Sequence, residues 1–375
     1  MPRPRIQPDP DFSRFLDVLL LRKAWRRPPQ FDFHINQVHK DAILGRPART
    51  GKDLVEFFTV AGYDYVQVSV YMPQPELTEA QSAEKARGHA ESFSSDACVI
   101  RSPEHYRSRR WSWHELAEGD TRSIQVQYDL LCQVAEALPD TMKIVLHGAD
   151  VFTFLWQLIG FNNLCFAIYE NPDFISEVVG SLAEAQYHAY RGAIERVGDR
   201  IGAVFYSDDI AHGNGPFMSP DFFRQHLFPA MRRYAELAET IGAPFIYHSD
   251  GKLYPVLDDL ISLGVRGIQP LEPKAMDPME IKRRWPGRLY LMGHIDLDLM
   301  ARGTPEQVRI HVRETIDRLN VGGGYMPGVS NTVPHYVRLD NYLTMIETIR
   351  EYPLEPIEVG GVGRVRMGQE PGKKR

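Results

Sequence analysis

Eight short apolar runs, spread along most of the chain and separated by stretches of helical length, constrain the fold more than any other feature. They read "QFDFHI", "YDYVQVSV", "KIVLHG", "GAVFYSDD", "PFIYHSD", "GIQPLEP", "LYLMGHID" and "GGGYMPGV". Runs of this kind suit strands buried on both faces, while the segments between them repeat apolar residues three and four apart, as amphipathic helices do. One helix is expected from Ser219 and Pro220 to Gly242 and another from Thr304 and Pro305 to just before Gly322, each opened by an N-cap residue and a proline. A further helix is expected from about Asp11 to Arg26, and another from Thr121.

Strands alternating with helices predict an α/β protein of the (β/α)8 TIM-barrel kind, with a doubly wound open sheet as the second choice. The 375 residues, 43% hydrophobic and 25% charged, suffice for one large domain. Its expected extent is 1–355, with a polar insertion at about 73–120 after the second strand and a basic tail at 356–375. The insertion carries Arg107, Arg109 and Arg110 among aromatic residues, a composition suited to a surface excursion or to a lid over an anionic substrate.

Composition excludes several classes. A formal charge of -6 and a pI near 6.1 leave no basic footprint for nucleic acid. Cys98, Cys132 and Cys165 lack paired-ligand spacing, so neither a disulfide framework nor a thiolate zinc site is expected. The run "FLDVLLL" is too short and wrongly flanked for a membrane span, which makes a cytoplasmic protein with a small-molecule substrate the expectation.

In such a barrel, chemistry sits at the C-terminal ends of the strands. Those ends carry His34 and Asn36, Tyr71, His147, Tyr206 with Asp208 and Asp209, His248 and Asp250, Glu272, His294 and Asp296, and Ser330 with Asn331. Four of the 13 histidines fall there. Each has a structural alternative: a strand-end histidine often braces a loop, and an aspartate before a helix often caps it. His248 and Asp250, two residues apart, would point the same way if the strand continued. Glu272, between Leu271 and Pro273, needs a cation or a metal if buried. His248, Asp250, Glu272, Asp208, Asp209 and His294 are therefore the catalytic candidates; His34, Asn36, Tyr71, His147, Tyr206, Asp296 and Asn331 are the substrate-binding ones. Nitrogen and oxygen donors from adjacent strands suit either a divalent metal acting as a Lewis acid or metal-free acid–base work, and spacing alone leaves both open.

The segments "FLDVLLLRKAWRRPPQFDF", "LPDTMKIVLHGADVFTFLWQLIGFNNL", "APFIYHSDGKLYPVLDDLISLGVRGIQPLEP" and "GGGYMPGVSNTVPHYVRLDNYLTMIE" resemble the uroporphyrinogen decarboxylase superfamily, which joins that decarboxylase to corrinoid-dependent methyltransferases. The resemblance runs over nearly the whole chain and implies a TIM barrel, with a homodimer as a family-level expectation.

The chain departs from both branches. The first loop reads "HINQVHK" where the decarboxylases carry an arginine-rich "RQAGRY"-type sequence, the aspartate after the second strand is missing, and Val329 follows Gly328 where a histidine is expected. The zinc methyltransferases carry His-x-Cys-Gly after the fifth strand and a cysteine in the last loop. Here His248 and Gly251 match, but Asp250 and Val329 replace the cysteines. A metal, zinc or another divalent ion, would fall to the harder donors His248, Asp250 and Glu272.

The expected activity is methyl transfer from a small methylated substrate to a corrinoid on a partner protein or to folate. The alternatives are a decarboxylase or lyase, including uroporphyrinogen-type decarboxylation with Lys252 or the insertion arginines holding the carboxylate, and an inactive barrel used as a binding module.

Overall fold

The computed structural model describes residues 3–75 and 99–359. Seven of the eight apolar runs form one parallel sheet whose strand order follows the chain. With β1 assigned to Phe33–Ile35, these are β2 (Tyr65–Ser69), β3 (Lys143–Ala149), β4 (Ile201–Ser207), β5 (Phe245–His248), β6 (Val265–Gln269), β7 (Tyr290–Ile295) and β8 (Tyr325–Val329). Helices connect successive strands, and the strand residues are almost all buried. Apolar side chains on both faces of a parallel strand require this cover.

The eighth run departs from the expectation of eight equivalent strands. β1 pairs only with Thr332–Val333, in a separate two-stranded ladder, and Phe31 N–H donates to Pro327 O of β8 at 2.9 Å. Asp32 stands where regular pairing of β1 with its neighbours β2 and β8 would otherwise continue. Its N–H goes to Tyr65 Oη (3.1 Å), and its carboxylate, not a backbone carbonyl, accepts the Val329 N–H (2.8 Å) and the Tyr63 hydroxyl (2.5 Å). Gly328 is needed at this closure, since a Cβ there would lie 1.8 Å from Phe31 O.

Local boundaries shift for identifiable reasons. The first helix runs only Phe12–Leu19, capped by Asp11, because Leu21 turns to a positive φ of 54° and Ala24–Trp25 then pairs with Pro356–Ile357. The tail expected from residue 356 thus begins with two paired residues, and 360–375 lie outside the described residues. The single helix expected after Ser219 is two, Pro220–His226 and Phe228–Glu239. The break falls where Pro229, lacking an N–H, can only sit in a first turn. The helix from Thr121 begins as a 3-10 turn, Thr121–Ile124, before Gln125–Ala137. The helix after Thr304 forms as expected, with a capping box between Thr304 and Gln307.

Much of the polar insertion, 76–98, lies outside the described residues. Val99 and Ile100 N–H donate to Leu158 O, and from Tyr106 onward the segment packs on the long helix Pro172–Val197: Trp113 Nε1 and Tyr106 Oη both reach Ser181 Oγ, and Trp111 and Trp113 stack at 5.4 Å. Arg107 pairs with Glu177, Arg110 with Glu118, and Arg109 lies over the Trp111 ring, so these arginines are held by the insertion's own surroundings. No single helix among the described residues is long and apolar enough to cross a membrane; the apolar pair Phe152–Ile159 and Phe161–Glu170 is bent by 98°.

Candidate active site

Three adjacent strands bring polar ends into register, with Ser207, His248 and Gln269 side by side. The His248 side chain is only 6% exposed, and its Nε2 points at two carboxylates, 3.5 Å from Asp209 Oδ1 and 3.9 Å from Asp250 Oδ1. Donor atoms of Asp209, His248 and Asp250 all lie within 4.8 Å of one another. Asp209 Oδ1 also accepts the Asp250 N–H at 2.8 Å, which ties the loop after β4 to the loop after β5.

A ring of side chains surrounds this trio. His248 Nδ1 meets Gln269 Oε1, Gln269 Nε2 donates to Asn331 O (2.9 Å), and Asn331 Nδ2 donates to both oxygens of Asp250 (2.9 and 2.7 Å). The Phe33 ring covers one side, 4.6 Å from the His248 ring and 5.0 Å from His147. Gly251 makes the turn possible: its φ is 86°, and a Cβ would lie 2.5 Å from His212 N.

Electrostatics follow from this crowding. Burial alone would lower the His248 pKa, but the hydrogen bond and charge of Asp209, with the Asp250 charge, raise it to about 9. Burial raises Asp250 to about 7, opposed by His248 and helped by the Asp209 and Glu272 charges. For Asp209 the His248 interaction and the Asp250 N–H overcome burial and lower the pKa. Asp150, at a positive φ of 106°, is pushed well up by burial and then by the Asp208 and Asp209 charges.

Other sequence candidates are occupied elsewhere. Asp208 is fully buried and accepts N–H groups of Val151, Phe152 and Thr153 and the Tyr206 hydroxyl, so it caps the helix Phe152–Ile159; Tyr206, expected to touch substrate, is wholly enclosed with it. Glu272, expected as a metal ligand, instead accepts the Gly251 N–H at 2.7 Å, and Asp209 completes the compact trio. His294 donates from Nδ1 to Leu271 O (2.8 Å) and accepts from Arg318 Nη2 (3.0 Å), a bracing role. His147 lies between Ser69 Oγ and Ser207 Oγ, and burial lowers its pKa to about 3, which keeps it neutral.

Asn36 and Asp296 cap the helices Gln37–Leu44 and Leu297–Arg302, and Ser330 Oγ accepts the Leu297 N–H. His34 is exposed at a φ of 41°, and Tyr71 is 42% exposed with its backbone paired to Gln127. Of the expected substrate-binding residues, Asn331 alone joins the ring. Gln269, Phe33 and Asp150 went unnoticed in the sequence. Gln269 had a signal, an amide inside the apolar run "GIQPLEP"; Phe33 and Asp150 had none, because a core phenylalanine and a loop aspartate look ordinary.

No curated protein matches the chain. Among solved structures, a methyltransferase from Methanosarcina mazei matches with a TM-score of 0.59 over 90% of this chain and 98% of that one, at 16% sequence identity, which is a likeness of fold. The family described as Uroporphyrinogen decarboxylase (URO-D) matches residues 97–352, well over half the length. With β3 to β8 and the whole His248 trio inside that span, the chain belongs to the uroporphyrinogen decarboxylase family.

Proposed function

We propose that the protein is a methyltransferase of this family. It would take a methyl group from a small methylated oxygen or nitrogen compound and pass it towards a corrinoid on a partner protein or towards folate. The observation that carries the reading is the trio Asp209, His248 and Asp250, whose donor set fits a divalent ion such as zinc: one imidazole nitrogen and two carboxylates, compact, with a hydrogen-bonded second layer. A metal held there would supply Lewis acidity towards the heteroatom that keeps the electron pair as the methyl group departs.

The chain's own residues would do the rest. Asn331 holds the Asp250 carboxylate in place, and Phe33 shields the His248 ring from water. In the same reading β1 completes an eight-stranded barrel, supported by the Phe31 to Pro327 hydrogen bond and the pairing of Phe33 with Thr332.

A carboxy-lyase is the second reading. The pairing of His248 with Asp209 favours it, because the two carboxylates stabilise an imidazolium able to protonate a carbanion after carbon dioxide leaves.

Metal content of the chelator-washed, zinc-incubated protein separates the two. One tightly held ion per chain, lost in a His248→Ala, Asp250→Ala double variant, is expected, together with demethylation of methoxylated or methylamine compounds in the presence of a corrinoid acceptor. No bound metal in the unaltered protein would sink the Lewis-acid reading and leave the lyase.

A further inference from the structure

Asp32 is a buried carboxylate held only by neutral donors. The Tyr63 hydroxyl and the Val329 N–H donate to it, and Tyr63 Oη meets Tyr342 Oη at 2.6 Å. The titratable groups that face it are four buried tyrosines: Tyr63 and Tyr65 from the β2 side, Tyr325 from β8, and Tyr342 from the helix Leu339–Arg350. Tyrosine is uncharged near neutral pH, so an ionised Asp32 has no counter-charge and its burial is unfavourable.

That charge sits in a short closure. Besides Asp32 itself, β1 is held by the pairs Phe33 with Thr332 and Ile35 with Val333, and by the N–H groups of Phe31 and Asn36, which donate to Pro327 O and Val333 O. Both sides of this seam carry members of the site. Phe33 follows Asp32 directly and lies 4.6 Å from the His248 ring; Asn331, two residues beyond Val329, holds Asp250. An opening that lets water reach the Asp32 carboxylate therefore loosens two walls of the trio at once.

We propose that Asp32 is a positioning residue that works as a proton-operated latch: protonated, it keeps β1 closed on β8 with Phe33 and Asn331 against the trio, and ionised, it lets the seam open. Opening hydrates the carboxylate and removes the cost of burying its charge, so the open state gains with rising pH until Asp32 is ionised in the closed state as well. The inference rests on the reading of the trio as the active centre, and it needs no metal.

The test is hydrogen exchange of the full-length, metal-free protein at pH 4.5 and 7.5, followed by mass spectrometry and expressed relative to the unstructured chain at each pH. Segments 29–36 and 326–333 report on the seam, and 245–248 serves as the reference strand. In the unaltered protein the seam is expected to open roughly ten- to hundredfold more often at the higher pH, as the rise of the Asp32 pKa from 3.8 to about 6 implies, and to exchange faster than the reference at both. In Asp32→Asn, uncharged throughout, that rise should vanish. Tyr63→Phe, which removes a donor to the ionised carboxylate, should enlarge it.

An equal pH dependence in Asp32→Asn and the unaltered protein would overturn the latch, as would a seam that exchanges only together with the reference strand. If Asp32→Asn does not fold, the unaltered protein and Tyr63→Phe decide, since identical profiles in those two contradict the role of Asp32. A seam that opens as expected in a protein that takes up no zinc supports the latch and defeats the metal reading alone.

Discussion

The Asn331 side-chain nitrogen lies 2.9 and 2.7 Å from the two carboxylate oxygens of Asp250. An amide that donates to both oxygens fixes the plane of the carboxylate, and it comes from the loop that also pairs with β1. β1 and the loop after β8 are thus tied to the polar centre on β5.

Removing that amide should be felt at the centre and in the loop. Asn331→Ala takes two hydrogen bonds from Asp250 and leaves the Thr332 N–H without its acceptor. Zinc affinity is expected to fall about tenfold, and stability by about 1 to 2 kcal/mol. Competition titration and urea unfolding of the same preparation measure the two effects.

Asp209 and Glu272 should behave differently despite their proximity to Asp250. Asp209→Asn removes a charge from the trio and is expected to abolish tight metal uptake. Glu272→Gln keeps an acceptor for the Gly251 N–H and should leave one metal per chain, with a stability change of about 1 kcal/mol or less. Metal loss from Glu272→Gln, with retention in Asp209→Asn, would reassign the third ligand to Glu272.

Asp32 sets a pH dependence of stability. Burial, opposed by the Tyr63 and Val329 hydrogen bonds, raises its carboxyl from 3.8 to about 6. The folded state then binds the proton more tightly than the unfolded chain, so this group's contribution is complete below pH 3.8 and is lost as pH rises through about 6. A rise of about two pH units corresponds to about 3 kcal/mol. In Asp32→Asn the dependence disappears, so the variant should gain stability relative to the unaltered protein by up to that amount between pH 4.5 and 7.5. Urea unfolding of both proteins at the two pH values tests this, and an unchanged difference would contradict the assignment.

Gly251 should tolerate no side chain. Gly251→Ala places a Cβ 2.5 Å from His212 N and 2.6 Å from Ala211 C, at a φ of 86°. Strain and displacement together are expected to cost about 2 to 4 kcal/mol and to move the Glu272 contact. Thermal unfolding should show the loss, and metal affinity should fall with it.

The parallel α/β plan, the strand ends and the place of "HSDG" at one of them were legible in the sequence because periodicity is a local property. Apolar runs must be covered by helices, and a histidine and an aspartate two apart at a strand end were visible as a pair. The caps before Pro220 and Pro305 were equally plain, since capping depends on a few neighbouring residues.

Which polar residues remain available for chemistry depended on partners distant in sequence. Asp208 and Asp209 are neighbours and look alike, yet the first is consumed by three backbone N–H groups 55 to 57 residues away while the second faces His248. His294 and His248 both end apolar runs, and only their surroundings differ: Arg318 braces the one, and two carboxylates face the other. Gln269 meets His248 and Asn331 only once β5, β6 and the last loop come together. Sequence pattern determined where strands end. Tertiary packing decided what each strand end has left to offer, because a buried hydrogen-bonding group is spoken for by whichever partner the fold brings to it.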